Sequence, residues 1–142
     1  MSLRCIVGLI GFSLSLSVLA AGCGGSSDRP ELARVRGKVT LDGVPVPAAK
    51  VYFQPAQGRP SFGSTDSDGV YELMYVADVR GAVIGTHEVK ISTYDVLEIP
   101  ETGSRNVVQE ILPDIYHARS NLKAEVKPGT NEIAFELKSL KQ

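Results

Sequence analysis

The chain has 142 residues, and its 15 Lys plus Arg against 16 Asp plus Glu leave a formal net charge of -1, which gives no electrostatic pull towards nucleic acid or another strongly anionic partner. Only two cysteines are present, there is no tryptophan, and 14 glycines and 8 prolines punctuate the sequence at short intervals. That punctuation argues against a helical bundle and for many short strands.

In chain order, Arg4 is followed by an almost uncharged run from Ile6 to Ala21 that closes on Ala20-Ala21-Gly22. This is the layout of a positive start, an apolar stretch and a small-residue cleavage site, so residues 1–22 are expected to be a secretion signal. Interrupted by Gly8 and Gly11, the run is shorter than the ~20 apolar residues of a membrane-spanning helix. Leu19-Ala20-Ala21-Gly22-Cys23 resembles the lipobox of bacterial lipoproteins, although Ala20 stands where leucine is usual and Leu19 lies one place further back. The resemblance implies that the Cys23 thiol is alkylated with diacylglycerol and the chain cut just before it. The expected product is an exported protein at the bacterial cell envelope, facing the periplasm or the outside, with the membrane as partner through the acyl chains. The alternative is an ordinary secretory cleavage that leaves Cys23 as a terminal free thiol. Cys5 leaves with the signal in either case, so no intramolecular disulfide can form. Residues 23–33 then read as a polar, flexible tether around Gly24-Gly25-Ser26-Ser27.

Residues 34–142 are expected to form one β domain. Val35, Val39 and Leu41 alternate with Arg34, Arg36, Lys38 and Thr40, and Gly37 takes the remaining inward place. Asp42-Gly43 follows as a turn. Ala49, Val51 and Phe53 alternate with Lys50, Tyr52 and Gln54, and Pro55 ends the strand. A short strand from Phe62 to Thr65 reaches Asp66-Ser67-Asp68-Gly69, read as a hairpin turn into a strand with Tyr71, Leu73 and Tyr75 on one face. His87, Val89 and Ile91 then share a face, as do Leu122, Ala124 and Val126; after a Pro128-Gly129 turn, Ile133, Phe135 and Leu137 complete the pattern. Seven strands at turn spacings of roughly ten residues predict an all-β, seven-stranded antiparallel β-sandwich.

The succession VRGKVTLDGVPVPAAKVYFQP, STDSDGVYEL and GTHEVKIS resembles the carboxypeptidase regulatory-like domain, a transthyretin-like sandwich, and the ending NLKAEVKPGTNEIAFELK is similar to the last two strands of its small anchored bacterial versions. In that family the positions matched here by Gly37, Val39, Asp42, Gly43, Pro45, Thr65, Asp66, Gly69, Tyr71, Gly85 and Val89 determine the fold and carry no catalysis. His87 stands where the family often has an aromatic residue. The resemblance therefore implies a scaffold, not an activity.

Several candidate sites give way to simpler readings. Asp66 and Asp68 beside Gly69 suggest a calcium loop, but Tyr75 falls where an EF-hand glutamate would be needed, and turn capping explains the same residues. His87 and His117 lie too far apart in sequence for the paired-histidine iron site of intradiol dioxygenases, so no metal or other cofactor is expected, and His87 is read as capping a strand face or meeting solvent at one end of the sandwich. The chain ends in Ser-Leu-Lys-Gln, not the Tyr-Arg-Gly-Ser of transthyretin-related hydrolases, and it lacks a Gly-x-Ser-x-Gly elbow. Arg34, Arg36 and Lys38 form a basic stripe, read as protection of an edge strand, with lipid headgroup contact as the alternative. Residues 93–120 are too long and too apolar for a linker: part of the segment is expected to pack back on the sandwich with Tyr116 as a lid, while Glu98, Glu101, Arg105 and Asn106 at its exposed tip are candidate contacts for an envelope protein or polymer. Sugar binding is disfavoured by the lack of tryptophan, Tyr52 and Tyr94 being the only substitutes. The expected role is thus a non-catalytic, membrane-anchored binding or structural module; the alternative is a hydrolase or metal-dependent enzyme with a site built from His117, Asp114 and Asp95.

Overall fold

Side chains alternate in and out along each long strand, and the inward set makes a single core. In the computed structural model, residues 29–140 are described; the expected signal 1–22, Cys23 and the first part of the tether lie outside the described residues. Fourteen strand segments follow in order: β1 (Leu32–Leu41), β2 (Val44–Pro45), β3 (Lys50–Pro55), β4 (Ser61–Ser64), β5 (Val70–Glu72), β6 (Met74–Val76), β7 (Val79–Arg80), β8 (Ala82–Val83), β9 (Gly85–Ser92), β10 (Asp95–Ile99), β11 (Ser104–Val108), β12 (Leu122–Val126), β13 (Thr130–Glu132) and β14 (Phe135–Leu137), with one 3₁₀ turn at Asp114–Tyr116. β1 begins at Leu32, inside the stretch read as tether, because Ala33 is already buried against the core.

Two six-stranded sheets face each other. One is built around β1; the other runs β12-β9-β3-β4-β6-β7, and β10 and β11 form a separate two-stranded ribbon. Val35, Val39, Tyr71, Phe135 and Leu137 from the first sheet pack with Val51, Phe53, Val89, Ile91 and Val126 from the second. Phe53 sits at the centre, its ring 6.1 Å from Phe135 and 6.4 Å from Tyr71. Replacing Phe53 with alanine is expected to cost about 3–5 kcal/mol, read as a lower urea midpoint at an unchanged slope.

The chain departs from seven antiparallel strands at two turns, each of which crosses to the opposite sheet. The Asp66–Gly69 turn does not close a hairpin between β4 and β5: β5 pairs with β1, in the opposite sheet. Asp66 still organises the turn, its Oδ1 accepting from the amides of Asp68 and Val70 at 2.9 Å, and Gly69 supplies φ +76°. Pro128-Gly129 likewise carries the chain from β12 to β13 across the sandwich, so that β13 and β14 run parallel to β1. The two parallel segments are separated at Ile133, whose amide donates to the Arg36 carbonyl at 2.8 Å and whose carbonyl accepts from the Tyr71 hydroxyl at 2.7 Å. This crossing lies directly against Gly37, where no side chain stands in the way.

Strand β1 is consequently the centre of its sheet, flanked by β13 and β14 on one side and by β2, β5 and β8 on the other. The basic stripe is therefore not edge protection. Arg36 is instead in register with Glu132 on one neighbour and Glu72 on the other, with its Nε 3.5 Å from the Glu132 carboxylate. These are cross-strand charge pairs, which stabilise a sheet face by tenths of a kcal/mol each, up to about 1 kcal/mol.

Candidate functional site

The segment that follows β9 makes the least ordinary surface of the molecule. β10 and β11 pair antiparallel, with Val96 opposite Val107, Leu97 opposite Asn106, Glu98 opposite Arg105 and Ile99 opposite Ser104. Two β-branched runs separated by Pro100 to Gly103 favour such a hairpin, and the amide of Gly103, at φ +65°, donates back to the Ile99 carbonyl at 2.9 Å.

Part of the segment packs on the sandwich. Leu112 joins the core, and Tyr116 lies half-buried against it while its hydroxyl accepts from the Lys138 amide at 2.9 Å. The hairpin does not pack back. Leu97 is 49 % exposed, Val107 46 % and Ile99 41 %, with Val96 and Val108 close behind and Ile111, just beyond the ribbon, at 62 %. Glu98, Glu101, Arg105 and Asn106 are exposed on the same ribbon, and the Glu98 carboxylate stands 3.2 Å from Arg105 Nε. The structure thus brings the four candidate contact residues together, and adds the exposed apolar side chains of Val96, Leu97, Ile99, Val107 and Val108 beside them.

Two anchors hold the hairpin base. Lys50 Nζ on β3 meets Asp95 Oδ1 at 2.5 Å, and this hydrogen bond holds the Lys50 ammonium above, and the Asp95 carboxyl below, their ordinary ranges. The second anchor is Glu110. Its carboxylate accepts from the Ser92 hydroxyl at 2.5 Å, the Thr93 hydroxyl at 2.7 Å, and the amides of Thr93 and Leu112 at 3.0 Å. Burial alone would push this carboxyl up, but the combined hydrogen bonds outweigh it and hold it at about 2. Nothing in the sequence marked Glu110. Its main donors are 17 and 18 residues away in the chain and come together only when β9 and the 3₁₀ segment are in place.

The three side chains of the enzyme alternative each have a different partner. Asp95 is held by Lys50, Asp114 by the Arg119 guanidinium at 2.5 Å, and the His117 ring meets the Leu112 carbonyl at 3.1 Å with Nε2 3.9 Å from Glu110. Among the described residues, no three His, Cys, Asp or Glu side chains are grouped to hold a metal ion. His87 neither caps the sheet nor meets solvent: it is buried in the inward row of β9, with Nε2–H donating to the Val83 carbonyl at 2.6 Å and the ring 5.6 Å from Phe53. The Asp42 carboxylate accepts from the Ser139 amide and hydroxyl, fixing the end of β14 beside the Asp42-Gly43 turn.

The register of the strands places the hairpin relative to the chain's entry. Leu32 pairs with Val83, just before β9 begins at Gly85, whereas Ser92 at the far end of β9 pairs with Lys50. Asp42 and Ser139 lie at that far end too. The polypeptide therefore enters at one end of the sandwich and extends the hairpin from the other, a separation of about 30 Å along the ten residues of β1.

No known family and no curated protein matches the sequence. Among solved structures, a DUF3823 family protein from Parabacteroides merdae ATCC 43184 superposes with a TM-score of 0.38 at 14% identity over 76% of this chain and 46% of that one. A 9R-lipoxygenase from Cyanothece PCC8801 superposes with a TM-score of 0.42 at 14% identity over 79% of this chain and 17% of that one. The chain spans less than half the length of either structure. No helix among the described residues is long and apolar enough to cross a membrane.

Proposed function

We propose that this protein is a non-catalytic lipoprotein of the bacterial cell envelope, tethered through Cys23, whose carboxypeptidase regulatory-like, transthyretin-like sandwich holds the β10–β11 hairpin out to a protein partner. The observation that carries this reading is the placement of chain entry and hairpin at opposite ends of the domain, which would set the apolar ribbon away from an anchoring membrane. The family assignment is supported by the structural duties of its matched positions: Gly37 admits a backbone crossing, and Asp66 and Gly69 form a tight turn. A protein partner suits the ribbon better than a polysaccharide does, because its large exposed apolar groups are aliphatic and the nearest exposed ring is the single Tyr94 at its base.

Fractionation of cells expressing the full chain tests the anchor. The wild type is expected in the membrane fraction with the intact mass of residues 23–142 plus acyl chains, and Cys23→Ser in the soluble or precursor form without acylation. A wild-type protein recovered unmodified from the soluble fraction would overturn the reading.

A further inference from the structure

We propose that the end of the sandwich at which the chain enters rests on the anionic phospholipid headgroups around its own anchor, with the cations of Arg34, Arg59 and Lys127 set against headgroup phosphates. This deepens the reading above and rests on it for acylation at Cys23.

The strand register sorts the charges into two ends. Leu32 pairs with Val83, Val126 with Gly85 and Pro55 with His87, so the turns that follow β3 and β12 lie at the same end as the start of β1. Exposed Arg29, Arg34, Arg59, Arg80 and Lys127 gather there against Glu31, Asp78 and Glu125. At the opposite end and along the hairpin the excess reverses: the acids Asp42, Asp66, Asp68, Glu98, Glu101 and Asp114 outnumber the bases Lys50, Arg105, Arg119 and Lys138. The net charge of -1 conceals this division. An anionic surface therefore attracts the entry end and repels the hairpin end.

Several cations of the basic end are free to take a new partner. Arg36 Nε stands 3.5 Å from Glu132 and Arg80 Nη1 3.8 Å from Glu72, whereas Arg34, Arg59 and Lys127 have no ion-pair partner among the described residues. Arg34 also borders a surface hollow of about 600 Å³, shared with Arg36, Arg80 and Thr130 as well as with the acids Asp66 and Glu72. A guanidinium with uncommitted donors suits a phosphate, which it can meet through two parallel N–H···O bonds.

What selects a membrane as the occupant is the chain that precedes β1. The nine residues from Cys23 to Leu32 reach no further than about 30 Å, so the basic end cannot leave the neighbourhood of the anchoring surface. Weak contacts suffice under that constraint, because the tether keeps the surface at high effective concentration. The contact fixes which way the domain stands, with the hairpin turned outward.

Fluorescence quenching of the acylated protein on vesicles tests the contact. A label on Thr130→Cys, in register with Arg34, is expected to be quenched by headgroup-attached quenchers at least about fivefold more in vesicles of phosphatidylglycerol and phosphatidylcholine than in phosphatidylcholine alone. The difference should vanish in about 1 M salt. Arg34→Gln combined with Arg59→Gln and Lys127→Gln is expected to remove it, whereas Arg105→Gln on the hairpin leaves it in place, and a label on Glu101→Cys stays unquenched on both vesicles. Sodium phosphate should act no differently from sodium chloride of the same ionic strength; specific displacement by phosphate would reveal a site for a soluble anion and overturn the proposal. Acylated protein whose Thr130→Cys label does not distinguish the two vesicles would overturn the proposal and leave the anchor standing. Protein that carries no acyl chains and remains free of both vesicles would overturn the two together.

Discussion

Alanine at position 37 is expected to leave no stably folded protein. A β-carbon built on Gly37 comes within 2.5 Å of the Ile133 carbonyl carbon, closer still to its oxygen, and 3.1 Å from the Tyr71 ring. None of these can step aside. The Ile133 amide is bound to the Arg36 carbonyl, its carbonyl holds the Tyr71 hydroxyl, and burial pushes the Tyr71 phenol up, so that it stays a neutral donor through the physiological range. Relieving the clash means pulling β13 and β14 from β1, which would cost more than about 4 kcal/mol, a large share of the ~5–15 kcal/mol that stabilises an ordinary domain. Gly43→Ala is the control. At φ +84° with nothing within 4 Å of the added carbon, it strains only its own backbone and is expected to cost about 1 kcal/mol. Equal urea midpoints for the two variants would show that the Ile133 crossing is not what Gly37 accommodates.

Lowering the pH is expected to release the hairpin base before the sandwich unfolds. Glu110 is held at about 2, against 4.5 for an ordinary glutamate. Its folded-state value is depressed, so its contribution is complete above pH 4.5 and is lost as the pH falls from there towards 2. A shift of this size corresponds to roughly 3 kcal/mol. With the side chain 21 % exposed, solvent screening reduces that to about 2 kcal/mol. Hydrogen exchange at the Thr93 and Leu112 amides, taken relative to the intrinsic rate at each pH, should accelerate in this window while that of β3 and β9 stays slow. Glu110→Gln should show the fast exchange already at neutral pH and remove its dependence on acid. Uniform acceleration across the sandwich on acidification would sink this account of Glu110 as a local clasp.

Much of the core was legible in the sequence because alternation reports directly on burial. Val35 and Val39, Val51 and Phe53, Val89 and Ile91, Ala124 and Val126, and Phe135 and Leu137 are all inward, and each sits in a period-2 run. Pairing was less legible. The residues of Asp66–Gly69 and Pro128-Gly129 specify a tight reversal, and the same turn chemistry serves a chain that returns beside itself or one that crosses to the opposite sheet. What decides between them is non-local: Tyr71 finds Ile133, and Arg36 finds Glu72 and Glu132. The division of the 93–120 segment was legible only in part. It was expected to pack partly on the sandwich, as Leu112 and Tyr116 do, but composition does not say which of its apolar residues stay outside, because hydropathy does not distinguish a buried side chain from an exposed one of the same type. Glu110 escaped notice because a carboxylate bound by amides and hydroxyls needs no cationic partner and leaves no charge pattern to find.

The parallel placement of β13 and β14 beside β1 also sets the order in which the molecule can be completed. The first strand synthesised waits, at Arg34–Arg36 and again at Val39–Leu41, for neighbours made about a hundred residues later. Until Leu137 has emerged, one flank of β1 has no partner, and the crossing of Ile133 over Gly37 cannot form. Closing so long a stretch of chain makes folding slow compared with that of local hairpins. A nascent chain of this topology therefore stays unfinished throughout its synthesis and gains its rigidity only once the last strands are available.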